Sequence, residues 1–185
     1  MTSDSRASTH VEPSGLLDTA RHYVRDLVYG ANDGIITTFA VVSGVSGGAL
    51  SHTAVLVIGA ANIAADGVSM GVGNLVAIRA HERALEAAGM PEEETYPWKH
   101  GIATLVAFGL AGLVPLLPFV MPLDPAWQPA ASAVLTFAAQ FGLGAARATI
   151  TSERWWRSGL ETLALGALVA LAAYASGALV AWVAG

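Results

Sequence analysis

Three side chains in one apolar run of this 185-residue chain have the types and spacing to hold a cation together: Asn62, Asp66 and Met70. They stand at steps of four, so on a helix they form one gently drifting stripe. A second carboxyl, Asp33, lies in the preceding apolar run, within Tyr29-Gly30-Ala31-Asn32-Asp33-Gly34. An ionised aspartate at mid-membrane costs roughly 2.5–3.5 kcal/mol on insertion scales. Two of them in neighbouring apolar segments are costly together, and intramembrane ionisable residues mark function. Asp33 and Asp66 therefore read as a functional pair. Carboxylate and amide oxygens alone suit Mg2+, Ca2+ or Mn2+; a thioether shifts the preference towards a softer first-row ion such as Fe2+. Cysteine is absent, and no paired-His motif of zinc type is present, which counts against zinc. Metal binding needs the deprotonated carboxylate, so it would release protons, and proton-coupled exchange is the expected consequence.

The elements that must position these residues are helices in a bilayer. The chain is 54% hydrophobic and only 12% charged, with a mean hydropathy of +0.55. A soluble domain is nearer 25% charged. The expected fold is all-α, an integral membrane bundle with five transmembrane helices: Leu27–Leu50, Thr53–Ile78, Gly101–Met121, Trp127–Ala148 and Gly159–Val183. Residues 1–15 read as a disordered tail, and 16–185 as a single transmembrane domain whose longest connection is the short loop 79–100. Leu16 to Asp26, with Arg21, His22 and Arg25, suits either a short amphipathic surface segment or a juxtamembrane leader. Five spans put all nine basic residues on the side of the N-terminus. The positive-inside rule then makes the N-terminus cytoplasmic and the C-terminus external. The basic residues form no patch suited to nucleic acid.

The first two spans run antiparallel. If Leu27 and Ile78 both mark the inner boundary, Asp33 is level with about Val72, near one turn from Met70, and Asp66 and Asn62 lie deeper. Thr37, one turn beyond Asp33, extends the ladder of oxygens. Each residue has a plainer reading: Met70 as packing, and Asn62 as interhelical glue. Gly30/Gly34, Gly44/Gly48 and Gly67/Gly71 are small-xxx-small pairs for close helix approach. Pro115 and Pro118 are expected to kink the third span. Glu82 and Glu86 share a helix face in the loop and, with His81, could form a reduced collecting site; a solvated acidic face is the plainer reading. Ser158-x-x-Glu161 has the capping-box pattern, with Glu161 an alternative candidate for the mouth of the path. His100 reads as interfacial.

The string Val28-Tyr-Gly-Ala-Asn-Asp33-Gly-Ile-Ile-Thr-Thr-Phe-Ala-Val-Val-Ser-Gly44, followed by Asn62 to Asn74, resembles the vacuolar iron transporter family in its bacterial form. Pro115-Leu-Leu-Pro118-Phe and Ser158-Gly-Leu-Glu161-Thr-Leu support the likeness. The resemblance implies five spans, a homodimer in the bacterial cytoplasmic membrane, and export of Fe2+ or Mn2+ from the cytoplasm against protons. It implies that Asp33 and Met70 line the ion path. Where plant-type members carry a Glu, this chain has Asn62, and Asp66 one turn away is expected to supply the displaced carboxylate. Many members have a helical cytoplasmic metal-collecting domain between the second and third spans; here only the short acidic loop stands in its place.

Two other readings compete. Paired intramembrane aspartates could be an aspartyl protease dyad, but Asn-Asp-Gly and Ala-Asp-Gly are not the Tyr-Asp and Gly-x-Gly-Asp settings of that chemistry. A membrane metal sensor or scaffold without flux would carry the same ligands.

Overall fold

The computed structural model of the chain describes residues 8–151 and 153–184. Among them the only β pairing is an isolated bridge between Ser8 and Glu92. The rest is helical: α1 (Leu16–His22), α2 (Val24–Gly47), α3 (His52–Ala87), α4 (Pro97–Gly112), α5 (Leu117–Val120), α6 (Gln128–Thr151) and α7 (Trp155–Ala184). The all-α expectation holds. Four helical stretches are long and apolar enough to cross a membrane: His52–Ala87, Pro97–Val120, Pro125–Thr149 and Trp155–Ala184. The 24 residues of α2 reach about 36 Å at 1.5 Å each, but Asp26, Asn32 and Asp33 dilute its hydropathy.

Burial is inverted relative to a soluble protein. Thr38, Thr104, Ser132 and Gln140 are fully enclosed, whereas Leu171 and Trp182 are 67% and 80% exposed. Large apolar side chains on the outside and hydroxyls within are what a hydrocarbon solvent selects. The hub is α2, which packs against α3, α4, α6 and α7. An apolar core of Phe39, Val42, Val45, Val55, Leu116, Phe119 and Ala170 surrounds its C-terminal half.

Helix ends follow local chemistry. Ser51 caps α3 by accepting the Ala54 amide at 3.3 Å. The other end of α3 closes at Gly89, φ +68°. The Met90 amide returns to the Leu85 carbonyl at 2.9 Å and the Gly89 amide to Glu86 at 3.0 Å, a Schellman close that favours glycine. The expected stop at Gly89 is therefore observed. However, α3 has no break at Ile78; its 36 residues carry it about 54 Å, well past a 30 Å hydrocarbon layer. Pro115 and Pro118 interrupt the third span as expected: α4 stops at Gly112, a 3-10 turn follows over Val114–Leu116, and α5 resumes. Ser132 donates to the Pro115 carbonyl at 2.7 Å within this break.

One local expectation is overturned. Ser158 does not cap α7, because the helix begins three residues earlier, at Trp155. Ser158 is buried in the α6–α7 contact, where its hydroxyl accepts Arg147 Nε at 3.1 Å. Residues 1–7 of the expected disordered tail lie outside the described residues. Ser8 to Glu12 run along the 92–99 segment: the Thr9 amide donates to the Glu92 carbonyl at 2.8 Å, and Lys99 Nζ meets Glu12 Oε1 at 2.7 Å.

Candidate metal path and its mouth

The glycines fix how α2 and α3 approach, and they do so through α4. A Cβ on Gly30 would lie 2.6 Å from the Thr104 carbonyl oxygen, and one on Gly34 would strike the Phe108 carbonyl. A Cβ on Gly71 would lie 2.8 Å from the Gly101 carbonyl oxygen, and one on Gly67 would meet the Phe108 ring at 3.3 Å. Phe108, fully buried, is thus gripped between Gly34 of α2 and Gly67 of α3. Asp33 and Asp66 each precede one of these glycines by one residue.

A polar tie gives the same register. Asn74 Nδ2 donates to Asp26 Oδ1 at 2.8 Å and lies 2.8 Å from Thr104 Oγ1. Seven residues inward from Asp26 is Asp33, and seven inward from Asn74 is Gly67. Asp33 is therefore level with Gly67 rather than with Val72, a shift of five residues from the hydropathy-based alignment. Asp66, the residue before Gly67, is then level with Asp33. Met70 stands one turn from Asp66 towards the Asp26 end, and Asn62 one turn the other way. All four are partly buried, and the buried Asn62 Nδ2 makes no hydrogen bond among the described residues. The hydroxyl of Thr37 donates to the Asp33 carbonyl at 2.8 Å, so it braces the helix beside the pair.

The remaining candidates have other partners. Glu161 pairs with Arg147 at 3.1 Å, on the α6–α7 face. Glu82 Oε1 accepts the backbone amides of Glu93 and Glu94 at 3.1 and 2.8 Å, which shapes the loop. His81 pairs with Glu93 at 3.2 Å, and Glu86 is exposed.

Sequence reasoning missed the mouth. A pocket of about 420 Å3 opens at the Asp26 end, lined by His22, Asp26, Glu82, Glu94 and His100 among others. His100, expected at the interface, lies at the start of α4. It is buried, with Nδ1 2.5 Å from Asp26 Oδ2 and Nε2 2.9 Å from Glu94 Oε2. Glu94 Oε1 accepts the Tyr96 amide at 2.8 Å. Burial alone would raise the Glu94 carboxyl, but the Tyr96 amide and the His100 and His10 rings outweigh it and hold the group below the ordinary glutamate value. A signal for part of this was present: Asn74 is the next step of four after Asn62, Asp66 and Met70.

Apolar helices enclosing hydroxyls, amides and carboxylates define a polytopic helical membrane protein. The profile of the VIT family matches residues 24–95 and 84–178. The chain belongs to that family. It is 26% identical over 234 residues to "Vacuolar iron transporter 1" of Arabidopsis thaliana, covering 92% of this chain and 94% of the relative. It is 30% identical over 170 residues to "Vacuolar iron transporter homolog 2" of Oryza sativa subsp. japonica, covering 83% and 88%. A shorter match, 42% over 76 residues, joins it to "Vacuolar iron transporter" of Toxoplasma gondii, across 41% of this chain and 25% of the relative.

Proposed function

We propose that this chain exports a divalent transition metal, Fe2+ and/or Mn2+, from the cytoplasm in exchange for protons. The observation that carries the reading is the level pairing of Asp33 and Asp66 on two helices, with Met70 one turn away. Two carboxylates compensate the charge of a divalent ion in hydrocarbon, and the thioether adds softness that Mg2+ and Ca2+ do not reward. Asn62 offers its amide oxygen on the far side of the pair. The relatives named above are iron transporters, so the chain is a transporter rather than an enzyme, and the protease reading is set aside.

In this reading α2 is the fifth span, the N-terminus is cytoplasmic, the C-terminus is external, and the membrane is the bacterial cytoplasmic one. The pocket over Asp26 and His100 is then the cytoplasmic entrance. The working unit is a homodimer. Ala61, Ala65, Ser69, Gly73 and Ala77 form an exposed ladder of small residues on α3, next to the Asn62–Asp66–Met70 stripe, and such ladders support close packing of helices in lipid.

The test is flux into proteoliposomes. Asp33→Ala and Met70→Ala are expected to abolish Fe2+ and Mn2+ movement while the protein still elutes as one folded species. An enclosed pH-sensitive dye reads the proton counterflow. Unchanged flux in both variants would refute the site. Metal binding with no flux in the parent chain would make it a sensor instead.

A further inference from the structure

We propose that His10, His22 and Glu94 form a second divalent-metal site, one that fastens the N-terminal segment over the mouth of the path. The three residues come from three separate elements: the segment before α1, the end of α1, and the loop between α3 and α4. One ligand atom from each can be chosen so that all lie within 4.8 Å of one another. His22 Nε2 is 3.3 Å and His10 Nδ1 3.5 Å from Glu94 Oε2. Ligand atoms about 2.0–2.2 Å from a tetrahedral ion lie roughly 3.3–3.6 Å apart, so these spacings fit the edges of such a site.

The plainer alternative is a cluster of ion pairs. Two observations weigh against it. The His10 side chain is only 7% exposed, and neither its Nε2 nor that of His22 makes a hydrogen bond of good geometry among the described residues, although His22 Nε2 stands 3.3 Å from Glu94 Oε2. Buried imidazole nitrogens in protein interiors normally have partners. Secondly, Glu94 is already oriented from behind. Its Oε1 accepts the Tyr96 amide, its own amide donates to Glu82, and Oε2 is approached by His100, which is braced by Asp26. Partners that hold ligands in place are characteristic of metal sites. The His10 Nε2 turns towards Glu12 at 3.9 Å, and Glu12 in turn meets Lys99 at 2.7 Å. Two imidazoles and one carboxylate suit Fe2+, Co2+, Mn2+ or Zn2+ and do not suit Mg2+ or Ca2+. The role of the site as a station on the way into the membrane rests on the transport reading; metal binding itself does not.

The test uses Co2+ as the probe with the full-length chain in detergent. Asp33→Asn/Asp66→Asn is the background, which removes the intramembrane carboxylates. We expect one Co2+ per chain with visible absorption of imidazole-bound cobalt. His10→Ala, His22→Ala and Glu94→Gln should each weaken binding tenfold or more, and His52→Ala, at the opposite end of α3, should not. Zn2+ should also slow exchange of the Thr9 amide, and His10→Ala should abolish that slowing. Binding that is absent from the background chain, or indifferent to both His10→Ala and His22→Ala, would overturn the site. Loss of flux in the Asp33 variants with Co2+ binding retained, or the reverse, separates this proposal from the transport reading.

Discussion

Gly71→Ala should open the seam between α3 and α4, and its effect can be worked from the backbone. The added Cβ would lie 2.8 Å from the Gly101 carbonyl oxygen and 3.1 Å from Leu105 Cβ. Relief to about 3.4 Å, the edge of ordinary contact, needs roughly 0.6 Å of separation. The obstacle is backbone, so no rotamer change can provide it. Overpacking of this kind costs about 1–3 kcal/mol, and each 1.4 kcal/mol is about tenfold in the folding equilibrium. Gly109→Ala is the control, since nothing lies within 4 Å of its Cβ position on the same α4. There the gain in helix propensity, up to about 1 kcal/mol, should leave stability equal or higher. The assay is equilibrium unfolding in mixed micelles, followed by tryptophan fluorescence. Met70 adjoins Gly71, so metal flux in vesicles should fall as well, even in the fraction that remains folded. Equal stability of Gly71→Ala and Gly109→Ala would refute the idea that bare backbone contact holds this pair of helices together.

Two further outcomes are expected. Asn74→Ala removes the amide that ties Asp26 to Thr104 and leaves a buried acceptor short of a donor; it should cost about 1–3 kcal/mol in the same unfolding assay. Acidification should release Ser8 to Glu12. The Lys99 partner holds the Glu12 carboxyl below its ordinary value, so its contribution is complete above the ordinary value and is lost as pH falls through the lowered one. Hydrogen exchange at the Thr9 amide reads the release, which high salt should mimic because the pair is exposed.

The membrane class and the four spans beyond α2 were legible because they rest on apolar runs. The stop at Gly89 and the break at Pro115 and Pro118 were legible because glycine and proline act locally. The mouth was not legible. Its residues, His10, His22, Asp26, Asn74, Glu94 and His100, come from six elements, and no spacing links them to one another. Ser158 misled for a related reason: a capping box is defined by four residues, but α7 starts three residues earlier, at Trp155. Glu161 was then free to pair with Arg147 across the helix boundary.

The register of α2 on α3 shows where hydropathy fails as a ruler. Hydropathy locates a membrane boundary by where apolar residues give way to charge. On α3 that transition is blurred, because the helix runs unbroken from His52 to Ala87 and stays apolar to Ile78. Alignment by boundaries therefore placed Asp33 opposite Val72. The actual ruler is a third helix. Phe108 touches Gly34 on one side and Gly67 on the other: a Cβ would strike its backbone at Gly34 and crowd its ring at Gly67. Two glycines at matching depth then bring their preceding aspartates to matching depth. The Asp26–Asn74 bond, seven residues away along each helix, locks the same alignment a second time. The candidate site between α2 and α3 is thus positioned by α4, which supplies neither carboxylate nor thioether to it. This is why single-helix periodicity could pick out the candidate residues and could not align them.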